Sequence, residues 1–223
     1  MRHWTKLGEA PVPGSDVVLS LYRGKDDFHI SVSGGGELMS TRRYGSEEAL
    51  GRIPCQRLRE AGSARVLVGG LGMGFTLAAV LAAVGPEAEV TVAELVPEVV
   101  DWNRGALGEP SGRPLDDPRT RVHVGDVAGL FSRRVGYFDV IVLDVDNGPD
   151  GLTQSANDRL YTMQGIMAAQ QALTSRGILA YWSAGQDRAF HDRLRRCGLM
   201  VEEVVVHAHG KKGARHFIWL ASR

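Results

Sequence analysis

The chain has 223 residues, which is enough for one domain with a sizeable hydrophobic core. Its 43% hydrophobic and 23% charged residues are typical of a globular protein. Because 26 basic side chains balance 26 acidic ones, no overall field attracts nucleic acid or an anionic membrane.

The first residues, MRHWTKLGEAPVPG, contain no apolar h-region, so a signal peptide is not expected. No apolar run approaches the roughly 18 residues of a membrane span. The two cysteines lack C-x-x-C spacing, which favours free thiols in a reducing compartment. We therefore expect a cytoplasmic protein whose partners include neither a membrane nor a nucleic acid.

Three short β-like runs follow, at 17–22 (VVLSLY), 28–33 (FHISVS) and 37–40 (ELMS). The polar or glycine-rich breaks Gly-Lys-Asp-Asp and Gly-Gly-Gly separate them. Short strands joined by such turns predict a small antiparallel cap, which we assign to residues 1–45.

A helical pattern begins after the cap, in SEEALGRIPCQRLREAG. Ser46 is the expected N-cap, and Gly62 is expected just past the C-terminal end. Pro54 is expected to break or kink this helix because it cannot donate a backbone hydrogen bond.

Strands and helices then alternate to the end of the chain. The predicted strands are 65–70, 89–94, 121–126, 138–144 and 178–184; the predicted helices are 75–85, 97–107, 157–177 and 186–198. A closing hairpin is predicted from 200–208 and 215–222. This alternation predicts an α/β, Rossmann-like methyltransferase fold in residues 46–223, with a mostly parallel sheet and a terminal antiparallel hairpin.

A glycine-rich loop, GGLGMG, lies between the first strand of this repeat and the helix that follows it. Gly70, Gly72 and Gly74 form a G-x-G-x-G pattern. The missing Cβ atoms allow a tight turn and let a ligand lie directly against the backbone. The pattern is weak in isolation, but its position after a strand and before a helix indicates a nucleoside site.

Three carboxylates end three further predicted strands: Glu94, Asp126 and Asp144. Parallel strands meet at one edge of the sheet, where open α/β sheets bind their ligands. Glu94 is placed to accept both hydroxyls of a ribose, and Asp126 can accept a proton from the adenine amino group. Their order favours a nucleoside. A dinucleotide is disfavoured because the sequence lacks a second G-x-G-x-x-G, and a P-loop is excluded because it lacks G-K-[ST].

Each of these residues also has a purely structural interpretation. A glycine at a strand–helix junction can serve only the turn. Asp126 can cap the short helix predicted at 127–132, because Asp is a favoured N-cap, and Glu94 can be a solvated strand end. The joint arrangement is what favours the nucleoside site.

The stretch VLDVDNGPDG places Asp144, Asp146 and Asp150 close together after a buried strand. Carboxylates this close repel one another unless a cationic or reacting group lies between them. We therefore predict an acidic site at the end of this strand.

These segments together resemble the spermidine/spermine synthase (aminopropyltransferase) family, within the class I S-adenosylmethionine methyltransferase-like superfamily. The resemblance covers about residues 35–222. VLVGGLGMG resembles the family's nucleoside loop, VTVAEL its ribose-binding strand end, RVHVGDV its adenine-contacting segment and FDVIVLDVDNGPDG its acidic loop. The helix and strand that follow the acidic loop in the family are similar to LYT…ALTSRGIL, and its closing strand is similar to GARHFIWLAS.

The resemblance implies transfer of an aminopropyl-type group from decarboxylated S-adenosylmethionine to a small amine, as in polyamine biosynthesis. The acceptor nitrogen would attack the carbon beside the positive sulfur, and methylthioadenosine would leave. Asp144 aligns with the family's general base. The resemblance also suggests a homodimer with the N-terminal strands as its contact.

The acceptor side departs from the family pattern. Gly72 replaces an aspartate of the glycine loop, and Asn147 replaces the second aspartate of the acidic loop. Ser46 replaces a tyrosine, and Trp182 replaces a polar residue, although core filling is the favoured interpretation of Trp182. We therefore predict an altered acceptor pocket. Its candidate residues are Asp146, Asn147, Asp150 and Trp182.

A basic loop, HAHGKKGAR, precedes the last predicted strand. A solvated hairpin turn is the favoured interpretation, and an acceptor that carries a carboxylate or phosphate is the other.

Three functions follow from the sequence. The first is a spermidine-synthase-like transferase, and the second is a methyltransferase that uses intact S-adenosylmethionine on a small molecule. The third is a nucleoside-binding or scaffold protein that has lost turnover. No His/Cys/Asp cluster has metal-ligand spacing, so no metal is expected.

Overall fold

A computed structural model describes residues 3–145, 158–209 and 212–223, with the backbone alone at positions 209 and 212. The first part of the chain forms a four-stranded antiparallel sheet, in the order β1-β2-β3-β4. Its strands are β1 Thr5–Pro11, β2 Val18–Arg23, β3 Phe28–Val32 and β4 Glu37–Ser40. The last three strands were predicted, and β1 is an additional strand that pairs with β2.

A second sheet of seven strands has the order β10-β11-β9-β8-β5-β6-β7. Strands β5 to β9 are parallel, and β11 pairs antiparallel with both β9 and β10. The strands are β5 Arg65–Gly69, β6 Glu89–Glu94, β7 Thr120–Val124, β8 Phe138–Leu143, β9 Leu173–Ser183, β10 Met200–His209 and β11 Lys212–Ser222. The predicted α/β fold, with a mostly parallel sheet, a terminal hairpin and an N-terminal antiparallel sheet, is confirmed.

Six α-helices lie in the described residues: α1 Gly45–Gln56, α2 Phe75–Ala83, α3 Pro97–Arg104, α4 Ala128–Phe131, α5 Met163–Ala172 and α6 Arg188–Arg196. Short 3-10 turns occupy Ala106–Ser111, Pro114–Asp116 and Arg159–Tyr161. Within the part of the chain that the structure describes, no helix combines the length and apolar character that crossing a bilayer requires.

The two faces of the large sheet carry different layers. Alternate residues of the central strands, such as Val68 and Val142, share one core cluster with Leu50 of α1 and Leu77 of α2. The same cluster includes Ile30 of the N-terminal sheet. Their neighbours form a second cluster that contains residues of α4, α5 and α6: Leu67, Ile141, Phe131, Ile166 and Phe190. Because side chains alternate along a strand, each face of the sheet is buried by its own layer.

Two predicted helix limits are wrong. Helix α1 begins at Gly45 with Tyr44 as its N-cap, so Ser46 lies inside the first turn and caps nothing. It ends at Gln56, two residues after Pro54, where the chain tightens into i to i−3 hydrogen bonds. Gly62 therefore lies beyond the helix and does not end it.

The long helix predicted at 157–177 is shorter in the structure. Helix α5 ends at Ala172, and β9 begins at the next residue. Leu173 is buried and pairs with Phe138 of β8, so sheet pairing overrides the helical pattern there. The division into a cap of residues 1–45 and a transferase domain of residues 46–223 stays a prediction.

Candidate functional site

A crevice lies at the carboxyl ends of β5, β6 and β8, under the N-terminal sheet. It encloses a cavity of about 170 Å³. Apolar side chains of the N-terminal sheet and the segment next to it line one side: Val12, Leu19, Ile30, Leu38 and Met39. The polar lining residues are Glu47, Gly70, Gly72, Glu94, Gly125, Asp126, Asp144 and Trp182. Most of the residues predicted as site residues therefore meet in one place.

The glycine loop connects β5 to α2 at the floor of this crevice. Gly70, Gly72 and Gly74 have φ angles of 91°, 51° and 83°, a region that favours glycine. A Cβ atom on Gly70 would collide with the carbonyl oxygen of Asp144. The loop can therefore pass directly against the end of β8 only because position 70 has no side chain.

Glu94 ends β6 and is 9% exposed. Its Oε2 accepts a hydrogen bond from the Leu71 amide at 2.9 Å, and its Oε1 accepts one from the Val96 amide at 2.9 Å. Burial raises the pKa of Glu94, and these amides oppose that shift. Glu94 is therefore not a solvated strand end, because it ties the glycine loop to β6 and also lines the crevice. That it binds a ribose stays a prediction.

Asp126 follows β7 and faces the crevice. Its Oδ1 accepts a hydrogen bond from the amide of Ala128, the first residue of α4, at 2.9 Å. The N-cap of α4 is Val127, so Asp126 bonds to the start of this helix without being its N-cap. Its Oδ2 forms an ion pair with Arg159. Contact with an adenine stays a prediction, and such a contact would share the carboxylate with these two partners.

Asp144 lies just past the end of β8 and is partly buried. Its Oδ2 accepts a hydrogen bond from Thr76 Oγ1 at 2.6 Å. Burial and, to a lesser extent, the negative charge of Glu47 raise the pKa of Asp144 to about 7, and the Thr76 hydroxyl opposes the shift. This carboxyl group can therefore exchange a proton near neutral pH.

Glu47 is a functional candidate that the sequence analysis missed. It lies in the first turn of α1, and its Oε2 accepts a hydrogen bond from Ser46 Oγ at 2.6 Å. Burial raises the pKa of Glu47. The only sequence signal was an acidic pair at the start of a helix, which usually marks a favourable helix dipole.

The packing of α1 against α2 places Glu47 at the crevice. A Cβ atom on Gly51 would lie 2.5 Å from the backbone oxygen of Thr76, so α1 rests directly on α2. The rings of Tyr44 and Phe75 stack at 4.1 Å at the beginning of the same two helices. Thr76 Oγ1 also lies 3.3 Å from the Glu47 carbonyl oxygen. One residue of α2 therefore links the turn that bears Glu47 to the carboxylate of Asp144.

Asn103 is a second residue that the sequence analysis missed. Its Nδ2 donates to the carbonyl oxygen of Gly72 at 2.8 Å and to that of Val99 at 2.9 Å. It is 1% exposed, and its Oδ1 has no partner among the described residues. The side chain holds the glycine loop in place from the end of α3. A polar residue inside an otherwise ordinary helix gave no signal of this role.

Trp182 belongs to both the core and the crevice wall. It is 9% exposed and packs edge-on against His216, with 4.9 Å between the ring centroids. Within the described residues, its Nε1 is buried without a hydrogen-bond partner. His216 Nδ1 lies 2.8 Å from Ser46 Oγ. Burial, helped by the charges of Arg43 and His207, lowers the pKa of His216.

Three of the predicted acceptor residues, Asp146, Asn147 and Asp150, lie outside the described residues. The same holds for Lys211 of the basic loop and for the side chains of its neighbours at 209 and 212. Arg215 is exposed, with its guanidinium 5.8 Å from the ring centroid of Phe217. Across residues 3–145, 158–208 and 213–223, no group of three His, Cys, Asp or Glu side chains could hold a metal ion.

Known proteins share this architecture. A family model, the spermine/spermidine synthase domain, matches residues 45–192. No curated protein matches the chain in sequence. A spermidine synthase structure from Thermotoga maritima is 18% identical with a TM-score of 0.75, and the match covers 97% of this chain and 72% of that chain. A spermidine synthase in complex with the transition state analogue AdoDATO is also 18% identical, with a TM-score of 0.74 and the same coverage.

Proposed function

The chain belongs to the spermine/spermidine synthase family, and we propose that it transfers an aminopropyl-type group from decarboxylated S-adenosylmethionine to an amine. The observation that carries the proposal is Asp144, a crevice carboxylate whose pKa is raised to about 7. An alkyl ammonium has a reference pKa of about 10.4 and must lose a proton before it can attack. A base with a pKa near neutrality suits that task.

The proposed reaction is a single displacement. The acceptor nitrogen attacks the carbon beside the sulfonium, the carbon–sulfur bond breaks, and methylthioadenosine leaves with the electron pair of that bond. The proton of the acceptor ammonium passes to Asp144. We assign this proton to Oδ1, because Thr76 already donates to Oδ2.

The donor would lie against the glycine loop. The two hydroxyls of a ribose would share the Glu94 carboxylate with the backbone amides of Leu71 and Val96, each of which donates to one of its oxygens. Gly70 and Gly72 let the nucleoside approach the backbone. Asp126 is the proposed partner of the adenine amino group, at the side of the crevice next to Val127.

We propose that the acceptor pocket differs from that of polyamine synthases. The resemblance places Trp182 where the family has a polar residue. Its Nε1, which has no partner within the described part of the chain, can donate a hydrogen bond to an acceptor atom of the substrate. Glu47 supplies a carboxylate to the same cavity. A small amine that also carries a hydrogen-bond acceptor fits these groups.

Gly72 favours a second candidate function, methyl transfer from intact S-adenosylmethionine. A Cβ atom at this position would lie 3.2 Å from Sδ of Met39, so Met39 restricts the space for a side chain there. The family's aspartate at this position would repel the carboxylate of the intact donor. Its absence removes that repulsion.

Calorimetry and product analysis with both donors test these functions. We expect tighter binding of the decarboxylated donor, with release of methylthioadenosine when an amine panel is added. Preference for the intact donor and release of S-adenosylhomocysteine would replace this proposal with methyl transfer. Binding of methylthioadenosine without turnover on any amine would indicate a nucleoside-binding protein that has lost catalysis.

A further inference from the structure

The proposed transfer creates a proton that has to leave the crevice. An ammonium and a sulfonium react to give a new ammonium, neutral methylthioadenosine and one free proton. Asp144 takes that proton and must lose it before the next turnover. The crevice lies under the N-terminal sheet, so the path of the proton to solvent decides how fast Asp144 is restored.

A chain of three side chains leads away from the crevice. It begins at Glu47, which lines the same cavity as Asp144, and continues through the Ser46 hydroxyl at 2.6 Å. Ser46 is fully buried, and its Oγ lies 2.8 Å from Nδ1 of His216. His216 is partly exposed on β11. The chain therefore joins a carboxylate in the cavity to an imidazole that reaches the surface.

The Ser46 hydroxyl has one proton and lies between Glu47 and His216, which allows two patterns of hydrogen bonds along the chain. In the first, protonated Glu47 donates to Ser46 Oγ, and the hydroxyl donates to His216 Nδ1. In the second, His216 Nδ1–H donates to Ser46 Oγ, and the hydroxyl donates to ionised Glu47. Conversion of the first pattern into the second moves one proton from Glu47 to His216, with no other change in atoms or charge.

Charged groups lie near both ends of this chain of side chains. Glu47 and Asp144 repel each other when both are ionised, so a proton that arrives on one is shared by the pair. Glu48 adds negative charge near Glu47, and Arg43 adds positive charge near both ends of the chain. Burial, together with the charges of Arg43 and His207, lowers the pKa of His216, so a proton that His216 receives from Ser46 is readily released to solvent.

We propose that Glu47, Ser46 and His216 form a proton relay that carries the proton of each turnover from Asp144 to solvent. The proposal rests on the transferase function proposed above. The proton passes from Asp144 to Glu47, from Glu47 through the Ser46 hydroxyl to His216 Nδ1, and a proton leaves His216 from Nε2. Rotation of the hydroxyl and exchange of the ring tautomer restore the first pattern.

Rapid-quench kinetics on Ser46→Ala and His216→Asn test the relay. We expect methylthioadenosine to form in the first turnover at the wild-type rate, while the steady-state rate falls about tenfold in both variants. Added imidazole should restore the steady-state rate of His216→Asn in proportion to its concentration. The matched control is His191→Asn on α6, where the ring contacts Asp192, and it should leave both phases unchanged.

The outcomes separate the relay from the transferase function. No methylthioadenosine in the first turnover of the wild-type protein would contradict the function. A normal first turnover followed by a normal steady state in both variants would contradict the relay alone. Equal loss in the two phases without imidazole rescue would also contradict it, because that pattern indicates a structural role.

A measurement that needs no activity checks the hydrogen-bonded chain itself. Nitrogen-15 NMR should show the Nδ1–H tautomer of His216 increasing as the pH rises and Glu47 loses its proton, because the hydroxyl then donates to Glu47. Ser46→Ala should reduce the Nδ1–H fraction severalfold. An identical tautomer ratio in the two proteins would overturn the relay, even if the transferase function holds.

Discussion

Two carboxylates of the crevice, Glu94 and Asp144, lie at the ends of the strands on either side of β5 and have different surroundings. Burial raises the pKa of both. Glu94 is held by backbone amides on both oxygens, whereas Asp144 has one hydroxyl donor and a second acid nearby. Fixed amide donors stabilise the ionised form, and a like charge destabilises it. The first arrangement suits binding, and the second suits proton transfer.

The wider surroundings of the two acids also differ, because backbone groups predominate around Glu94 and side chains predominate around Asp144. The Glu94 side is built from backbone, with the glycine loop held by Asn103 and by main-chain hydrogen bonds from Gly70 and Asp144. The Asp144 side is built from side chains of three elements, namely Thr76 of α2, Glu47 of α1 and Trp182 of β9. Substitutions on the second side should therefore change the rate of reaction more than ligand affinity.

Loss of the Asp144 carboxylate should have the largest effect. We expect Asp144→Asn to lower kcat by about 10²–10⁴-fold, the range for a lost general base, while donor affinity stays within about tenfold. Steady-state assays and calorimetry with methylthioadenosine measure the two quantities. Asp139→Asn on the same strand is the control, because Asp139 bonds to the Arg65 amide and not to the crevice. Full activity of Asp144→Asn would remove Asp144 from the mechanism.

The dependence of stability on pH should differ between wild type and Asp144→Asn. Because the pKa of Asp144 rises from 3.8 to about 7 on folding, the native state binds more protons than the unfolded chain in that interval. Stability is therefore lost as the pH rises from about 4 to 7, by a few kcal/mol. Urea unfolding across this range should show a flatter profile for Asp144→Asn.

Urea unfolding of Glu47→Gln across the same pH range tests whether Glu47 contributes to the raised pKa of Asp144. Removal of the neighbouring negative charge should lower the pKa of Asp144 in the folded protein, so the loss of stability should end at a lower pH and be smaller than in the wild type. An unchanged profile in this variant would show that the two acids do not interact.

Glu94→Ala should mainly affect binding. We expect methylthioadenosine affinity to fall by about 10- to 100-fold, since one or two hydrogen bonds to a charged group are lost. Calorimetry measures this change. The matched control is Glu89→Gln at the opposite end of β6, whose carboxylate contacts the Tyr137 hydroxyl. Equal affinity in Glu94→Ala and wild type would exclude the ribose assignment.

Arg159→Gln should have the smallest effect. Its ion pair with Asp126 joins two largely solvent-accessible side chains, and such pairs contribute about 0–1 kcal/mol. We expect donor affinity to change by less than about threefold in a calorimetric titration. A tenfold loss would instead indicate that Arg159 orients Asp126 for the nucleoside.

The glycine loop and the three acids at the strand ends could be predicted because their signals are local. Positive φ at Gly70 and the strand before it are encoded within a few residues. Ser46 shows the limit of local signals, because a serine before a helical pattern predicts an N-cap. In the structure its hydroxyl donates to Glu47 and lies beside His216.

The sequence by itself determined the alternating order of strands and helices, the glycine loop and the position of Asp144 at a strand end. Only the tertiary structure decided that Glu47 joins Asp144, that Asn103 holds the glycine loop and that Trp182 faces the crevice. The physical reason is packing: the close contact of Gly51 with α2 positions α1 against that helix, and so helps to place Glu47. Such contacts depend on how distant segments fit together, and no periodicity along the chain encodes them.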